Sequence, residues 1–202
     1  MTDIAPRTRK PDSIHVERTI MKLNRLLAAA GLTILGLFAS VTSFAESKAE
    51  IDVSVDEALK QFYALSAANK DLASKAAGML VFPRVTKGGV GIGGEYGEGV
   101  LQVNGKTVNY YSVGSASIGL TLGVAKRSEI VMFMTQEALD KFTNSEGWSI
   151  GADAGVALVS QGAGGTYDSK TLQKPILGFV FGEKGLMGDL SLEGSKIKKI
   201  EK

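Results

Sequence analysis

The chain has no cysteine in its 202 residues and a single histidine, His15. The first absence excludes disulfides, a lipid-modified cysteine and thiol nucleophiles. Because His15 precedes Glu46, the stretch from Glu46 onward has neither His nor Cys, which removes Ser-His and Cys-His machinery and nearly all zinc, copper and haem ligation. No cofactor and no metal are therefore expected, and an enzyme would have to work with carboxylates, Lys, Tyr or Ser alone. Proline is also scarce, at four, and tryptophan occurs once, as Trp148.

What the N-terminus does contain is an export pattern. Lys22 and Arg25 precede an uncharged apolar run, Leu26–Phe38, and Ser43-Phe44-Ala45 supplies the small-x-small site of a signal peptidase. The run is shorter than the ~20 apolar residues that span a bilayer, so cleavage between Ala45 and Glu46 is expected rather than anchoring. Residues 1–20 are polar and charged, and Met21 makes a more natural start; 1–20 read as an extended or mis-assigned N-terminus and 21–45 as the signal. The expected location is periplasmic or secreted, peripheral to the membrane.

Removing this segment changes the charge. It holds six of the 23 Lys+Arg and three of the 21 Asp+Glu, leaving 17 and 18 in the remainder. A net charge of −1 gives no bulk basis for nucleic-acid binding. The remaining 157 residues suit one domain.

Residues 46–53 read as a linker to a domain over 54–202. Ser54-Val55-Asp56-Glu57 has capping-box form and predicts a helix with Ala58, Leu59, Phe62 and Leu65 on its apolar face. Asn69 or Asp71 would cap a second helix carrying Leu72, Ala73, Ala76 and Ala77, stopped by Gly78. Twenty-two of the 25 glycines lie from Gly88 to Gly194, where alternation replaces helical spacing. Val90, Ile92 and Tyr96 fall on one face. Asn104-Gly105 predicts a two-residue type I′ hairpin pairing Val103 with Lys106 and Leu101 with Val108. Alternation recurs over Ala116–Val124, Ile150–Leu158 and Leu186–Leu192. Ile130–Met134 reads as a strand buried on both faces, Gln136–Phe142 as a helix with Ala138, Leu139 and Phe142 inward, and Ile176–Phe181 as another strand. The expected fold class is α+β: N-terminal helices packed on a curved, mostly antiparallel Gly-rich sheet or partly closed barrel of about seven strands.

Few groups suggest chemistry. Gly89–Gly94 satisfies G-x-G-x-x-G, but strand-like alternation follows it where a dinucleotide site needs a helix. Glu95 and Glu98 are spaced as a possible acid/base pair, though carboxylates near a bend are ordinary. Asp153 interrupts a small, apolar stretch, facing solvent or paired inside. Lys70, Lys75, Arg84 and Lys87 cluster around the second helix and its exit, while Lys196, Lys198, Lys199 and Lys202 read as a solubilising tail.

Several motifs in order resemble one family. Gly78–Gly89 (GMLVFPRVTKGG) and Gly91–Gly99 (GIGGEYGEG) are similar to the signature of SYLF domains, known in fungal members as a Ysc-type actin-binding family. Phe133–Leu139, Gly147-Trp148, Lys174-Pro175, Gly178–Phe181, Gly185-Leu186 and Leu192–Ile197 extend the resemblance over roughly 55–200. It implies a non-enzymatic binder of anionic lipid, phosphoinositide-type in relatives, with actin an unlikely partner for an exported chain. It also implies lipid contact through the N-terminal helix and nearby cations, hence Phe62, Lys70, Lys75, Arg84 and Lys87. A small outer-membrane β-barrel or structural envelope protein, and a hydrolase, are the alternatives. The barrel would need strands of about nine to eleven residues with a lipid-facing apolar band.

Overall fold

The computed structural model describes residues 46–90, 92–118, 123–151, 153, 155–159, 167–182, 185–186, 192 and 194–202. They fall in the second of two units into which the chain divides, 46–202.

The first helix, α1 (Lys48–Leu65), begins earlier than Ser54. Ser47-Lys48-Ala49-Glu50 has the same S-x-x-E form, and here the box closes: the Glu50 carboxylate accepts from the Ser47 N–H at 2.8 Å, and Ser47 Oγ from the Glu50 N–H at 3.3 Å. Burial explains the choice. Starting at Lys48 brings fully buried Ile51 into one stripe with Val55, Ala58, Leu59 and Phe62. Residues 48–53 are thus helix, not linker. The next helix, α2 (Ala67–Lys75), is capped by Ser66 rather than by Asn69 or Asp71. Asn69 is buried instead, its amide donating to the Phe62 carbonyl at 2.7 Å and so satisfying one orphan acceptor at the end of α1. Gly78 does not stop this helix; it opens the first strand.

That strand, β1 (Gly78–Val90), is followed by β2 (Ile92–Val103), β3 (Lys106–Ile118), β4 (Gly123–Phe133), α3 (Gln136–Thr143), β5 (Trp148–Ser149), β6 (Ala157–Leu158), α4 (Ser169–Leu172), β7 (Ile176–Gly182), β8 (Gly185–Leu186) and β9 (Lys196–Ile200). Among the described residues nine strands form one sheet in the order β5-β9-β3-β2-β1-β4-β7-β6, with β8 on β7. Of their pairings only β6–β7 is parallel.

The Asn104-Gly105 turn forms as expected, with φ of 51° and 73° and Val103 opposite Lys106. A register shift after Leu101 then pairs that residue with Asn109, not Val108, which is left exposed. Val90 and Ile92 lie on different strands and face each other across the β1–β2 ladder. The alternation over Ala116–Val124 belongs likewise to two strands, β3 and β4; Leu120 and Leu122 lie outside the described residues. Among the described residues of Ile150–Leu158 only Ala157-Leu158 is strand, and Gly151, with φ of 94°, turns the chain after β5. Of Leu186–Leu192 the described residues are Leu186, which is in a strand, and Leu192, which is buried; Leu190 lies outside the described residues.

Pro83 sits inside β1, where it can offer no N–H to a ladder. The strand accommodates it with a bulge: register shifts against β2 between Val81 and Arg84, and against β4 between Phe82 and Val85. Gly99 is required opposite it, since a Cβ there would lie 2.1 Å from the Val81 carbonyl oxygen. The bulge reverses the strand's alternation. Leu80, Phe82 and Val85 all join one apolar cluster, and Arg84 turns to the helix-covered face.

Both faces of the sheet are apolar. Val131 and Phe133 of β4 enter one cluster, Ile130 and Met132 the other, as the unbroken Ile130–Met134 run predicts. α1 and α2 cover the second face over β1, β4 and β7. The first face is concave. Trp148 and Phe133 stand five strand steps apart, roughly 24 Å in a flat sheet, yet their ring centroids are 6.0 Å apart. Phe142 of α3 plugs the trough, stacked on Phe133 at 4.9 Å and edge-on to Trp148 at 5.3 Å.

Candidate functional site

Within the trough the polar groups form a closed set. Arg127 on β4 donates from Nε to Glu129 Oε1 at 2.7 Å and from Nη2 to Glu95 Oε2 at 2.5 Å. The Ser115 hydroxyl completes Glu95 at 2.8 Å, and all three charged side chains are buried. Burial pushes the Glu129 carboxyl above its usual range against the opposing pull of Arg127. For Arg127 burial disfavours the charge, but the flanking carboxylates outweigh it and hold the guanidinium protonated. Glu98, by contrast, accepts from Lys202 Nζ at 2.6 Å and from the Tyr96 hydroxyl at 2.8 Å. Glu95 and Glu98, three positions apart on β2, thus serve separate partner sets and make no acid/base pair. The glycine string Gly89–Gly94 joins two antiparallel strands and opens no helix. Asp153 faces solvent and accepts from the Ser149 N–H at 2.5 Å.

The cations expected around the helices separate into two groups. Lys70 and Lys75 are on the solvent side of α2, Lys75 paired with Asp71 at 2.7 Å. Arg84 reaches the first half of α1, donating to Ser54 Oγ at 2.5 Å and pairing with Glu46 at 3.2 Å. The eleven residue steps from Ser54 to Leu65 span roughly 16 Å of helix, which keeps the groups apart. Lys87 is half-buried on β1, with Glu95 on β2 and Ala125 on β4 as its cross-strand neighbours. Phe62 cannot touch a membrane from where it sits: it is fully buried, its ring 4.8 Å from Phe179 and 5.6 Å from Phe181. The apolar stripe of α1 is core. Of the two residues flanking the expected cleavage point, Ala45 lies outside the described residues; the carbonyl of Glu46 accepts from Lys202 Nζ at 2.8 Å.

The lysines at the C-terminus are not a tail. Lys196–Ile200 is β9, paired with β3 (Tyr110 opposite Ile200, Gly114 opposite Lys196) and with β5 (Trp148 opposite Ile197). Ile197 is buried while Lys196, Lys198 and Lys199 are exposed. Among the described residues none of these three has an ion-pair partner. Composition hid this strand. The available clue was Lys196-Ile197-Lys198, an alternation of charge around one apolar residue following a turn glycine, Gly194, whose φ is 81°.

Residues 114–202 match the model of a family described as Ysc84, Las17-binding protein actin regulator. None of the curated proteins compared matches the chain. The matched stretch runs from within β3 to the C-terminus, and so contains Arg127, Glu129, α3, Trp148 and β9. Over residues 114–202 the chain is similar to the Ysc84 family, the SYLF domains that its motifs resemble.

Proposed function

We propose that this protein is a non-enzymatic binding module of the cell envelope that attaches to anionic lipid surfaces, with β9 as its principal contact. The observation that carries the reading is the pair Lys196 and Lys198, two exposed ammonium groups on one face of an ordered strand, with Lys199 exposed on the opposite face and all three unpaired among the described residues. It is supported by the family's description as a binding protein and by the lack of His and Cys after residue 45. The export pattern favours lipid over actin, since an exported chain leaves the compartment that holds filaments. Lys70 and Lys87 add to the attraction, whereas Lys75 and Arg84 are partly neutralised by Asp71 and Glu46.

Each lysine near an anionic surface contributes about 1 kcal/mol, so Lys196 and Lys198 together supply up to ~2 kcal/mol, or more than one decade of affinity at ~1.4 kcal/mol each. Replacing Lys196, Lys198 and Lys199 by Gln is expected to weaken binding to anionic vesicles at least tenfold in co-sedimentation. The change Lys70→Gln with Lys87→Gln should cost less. Equal binding to anionic and zwitterionic vesicles by the unmodified protein would end the lipid reading.

A further inference from the structure

Between β5 and β9 lies a cavity of about 130 Å³, lined by Gly147, Trp148, Ser149, Lys196, Ile197 and Lys198. Its construction follows from the register. Trp148 stands opposite Ile197 and Ser149 opposite Lys196. Trp148 and Ile197 are both buried in the trough's cluster. Strand alternation therefore puts Ser149, Lys196 and Lys198 on the other side. The next position toward Lys198 is Gly147, and the missing side chain there leaves the space open.

We infer that this cavity is a phosphate seat, taking a phosphomonoester between Lys196 and Lys198 with the Ser149 hydroxyl as a third donor. The inference rests on the lipid reading above and gives it a specific headgroup chemistry. That volume, about four waters at ~30 Å³ each, leaves room for a phosphate group. A phosphomonoester carries about −1.5 to −2 charges and three strong acceptor oxygens, matching two ammonium groups and a hydroxyl. A phosphodiester or a carboxylate offers at most one charge to the same pair. Lys199, on the opposite face of β9, does not line the cavity. It contributes only general attraction. The same chemistry is offered by a lipid headgroup and by a soluble phosphomonoester, and the two differ in whether the surrounding surface adds to the binding.

Three changes separate the seat from bulk charge. Gly147→Val keeps every lysine and fills the cavity. Gly147 is not among the glycines with positive φ, and a Cβ there meets nothing nearer than the Ile197 carbonyl oxygen at 4.0 Å, so neither backbone conformation nor the Cβ opposes the change. Lys198→Gln and Lys199→Gln remove the same charge from neighbouring positions, but only Lys198 lines the cavity. The protein, purified in the form that cells accumulate, is mixed with phosphatidylcholine vesicles containing about one-fifth phosphatidic acid or about one-fifth phosphatidylglycerol, compositions that set the surface charge. A parallel arm titrates inorganic phosphate and glycerol 3-phosphate at constant ionic strength, following the amide resonances of Gly147, Ser149 and Lys198.

The unmodified protein should prefer phosphatidic acid several-fold, and Gly147→Val and Lys198→Gln should abolish that preference while retaining salt-sensitive binding. Lys199→Gln should weaken both vesicle types alike. Soluble phosphates should move the three amides at millimolar concentration if the seat acts without a surface; a preference confined to vesicles assigns the ligand to lipid. If Gly147→Val and Lys198→Gln keep the full preference, or if there is no preference to lose, the seat is wrong even though anionic binding stands. Loss of all vesicle binding by the unmodified protein instead removes the lipid reading itself. Near-ultraviolet circular dichroism of the single tryptophan, Trp148, reports folding of each variant, and Lys198→Gln against Lys199→Gln decides the matter should Gly147→Val not fold.

Discussion

At the scale of single residues, the most consequential is Arg127, held between Glu95 and Glu129 in the trough. Two carboxylates around one guanidinium in a buried place cost desolvation that an apolar core would avoid. Glu129 shows the cost directly, because burial raises its folded pKa above the ordinary value of 4.5. The sign follows from linkage. A carboxyl whose folded pKa is raised binds its proton more tightly in the folded state, so its contribution to stability is full below its unfolded pKa. That contribution is lost as pH rises towards the folded pKa. Glu129→Gln should therefore flatten the fall in stability above about pH 4.5, measured by urea unfolding at a series of pH values. An unchanged pH profile would show that Glu129 titrates normally. Nothing in the sequence marked Arg127, because its partners come from β2 and from its own strand across a fold not yet known.

At the scale of elements, local signals competed and long-range burial chose between them. Two S-x-x-E boxes stand at Ser47 and Ser54, and local chemistry cannot rank them. Ile51 does, since only the earlier start places it in the buried stripe. Ser47→Ala is expected to cost about 1 kcal/mol of stability as a lost cap. Ser54→Ala removes instead a hydrogen-bond acceptor for Arg84, so adding Arg84→Ala should cost little more if the contact is what matters, whereas the Ser47→Ala and Arg84→Ala effects should add. A double-mutant cycle by chemical denaturation reads both, and additivity of Ser54→Ala with Arg84→Ala would contradict this assignment. Elements with strong local signatures were legible: the Asn104-Gly105 turn, α3 with Ala138, Leu139 and Phe142 inward, and the doubly buried strands β4 and β7. What was not legible depended on pairing. β9 is lysine-rich and looks like solvated tail until β3 and β5 are laid beside it; the Pro83 bulge needs Gly99 opposite. Phe62 was misplaced for a related reason: an amphipathic helix presents the same pattern whether its apolar face meets a sheet or a membrane.

At the scale of the whole molecule, the N- and C-terminal ends of the 46–202 unit are joined through half-buried Lys202, which ties the Glu46 carbonyl to Glu98. Export, if it proceeds through the Ser43-Phe44-Ala45 site, releases the chain directly before this contact. Mass spectrometry of protein from the envelope is expected to find Glu46 as the first residue; a retained Leu26–Phe38 segment would contradict it. The central claim, however, is that a domain of near-zero net charge binds anionic surfaces because exposed lysines cluster on one strand, β9, not because it is basic overall. Co-sedimentation of the unmodified protein and the Lys196→Gln, Lys198→Gln, Lys199→Gln triple variant with anionic vesicles, at low and high salt, tests this most directly. The account predicts strong binding by the unmodified protein at low salt, a loss of at least tenfold in the variant, and convergence of the two at high salt where the attraction is screened within a Debye length. Indistinguishable binding of the two proteins at low salt would contradict it.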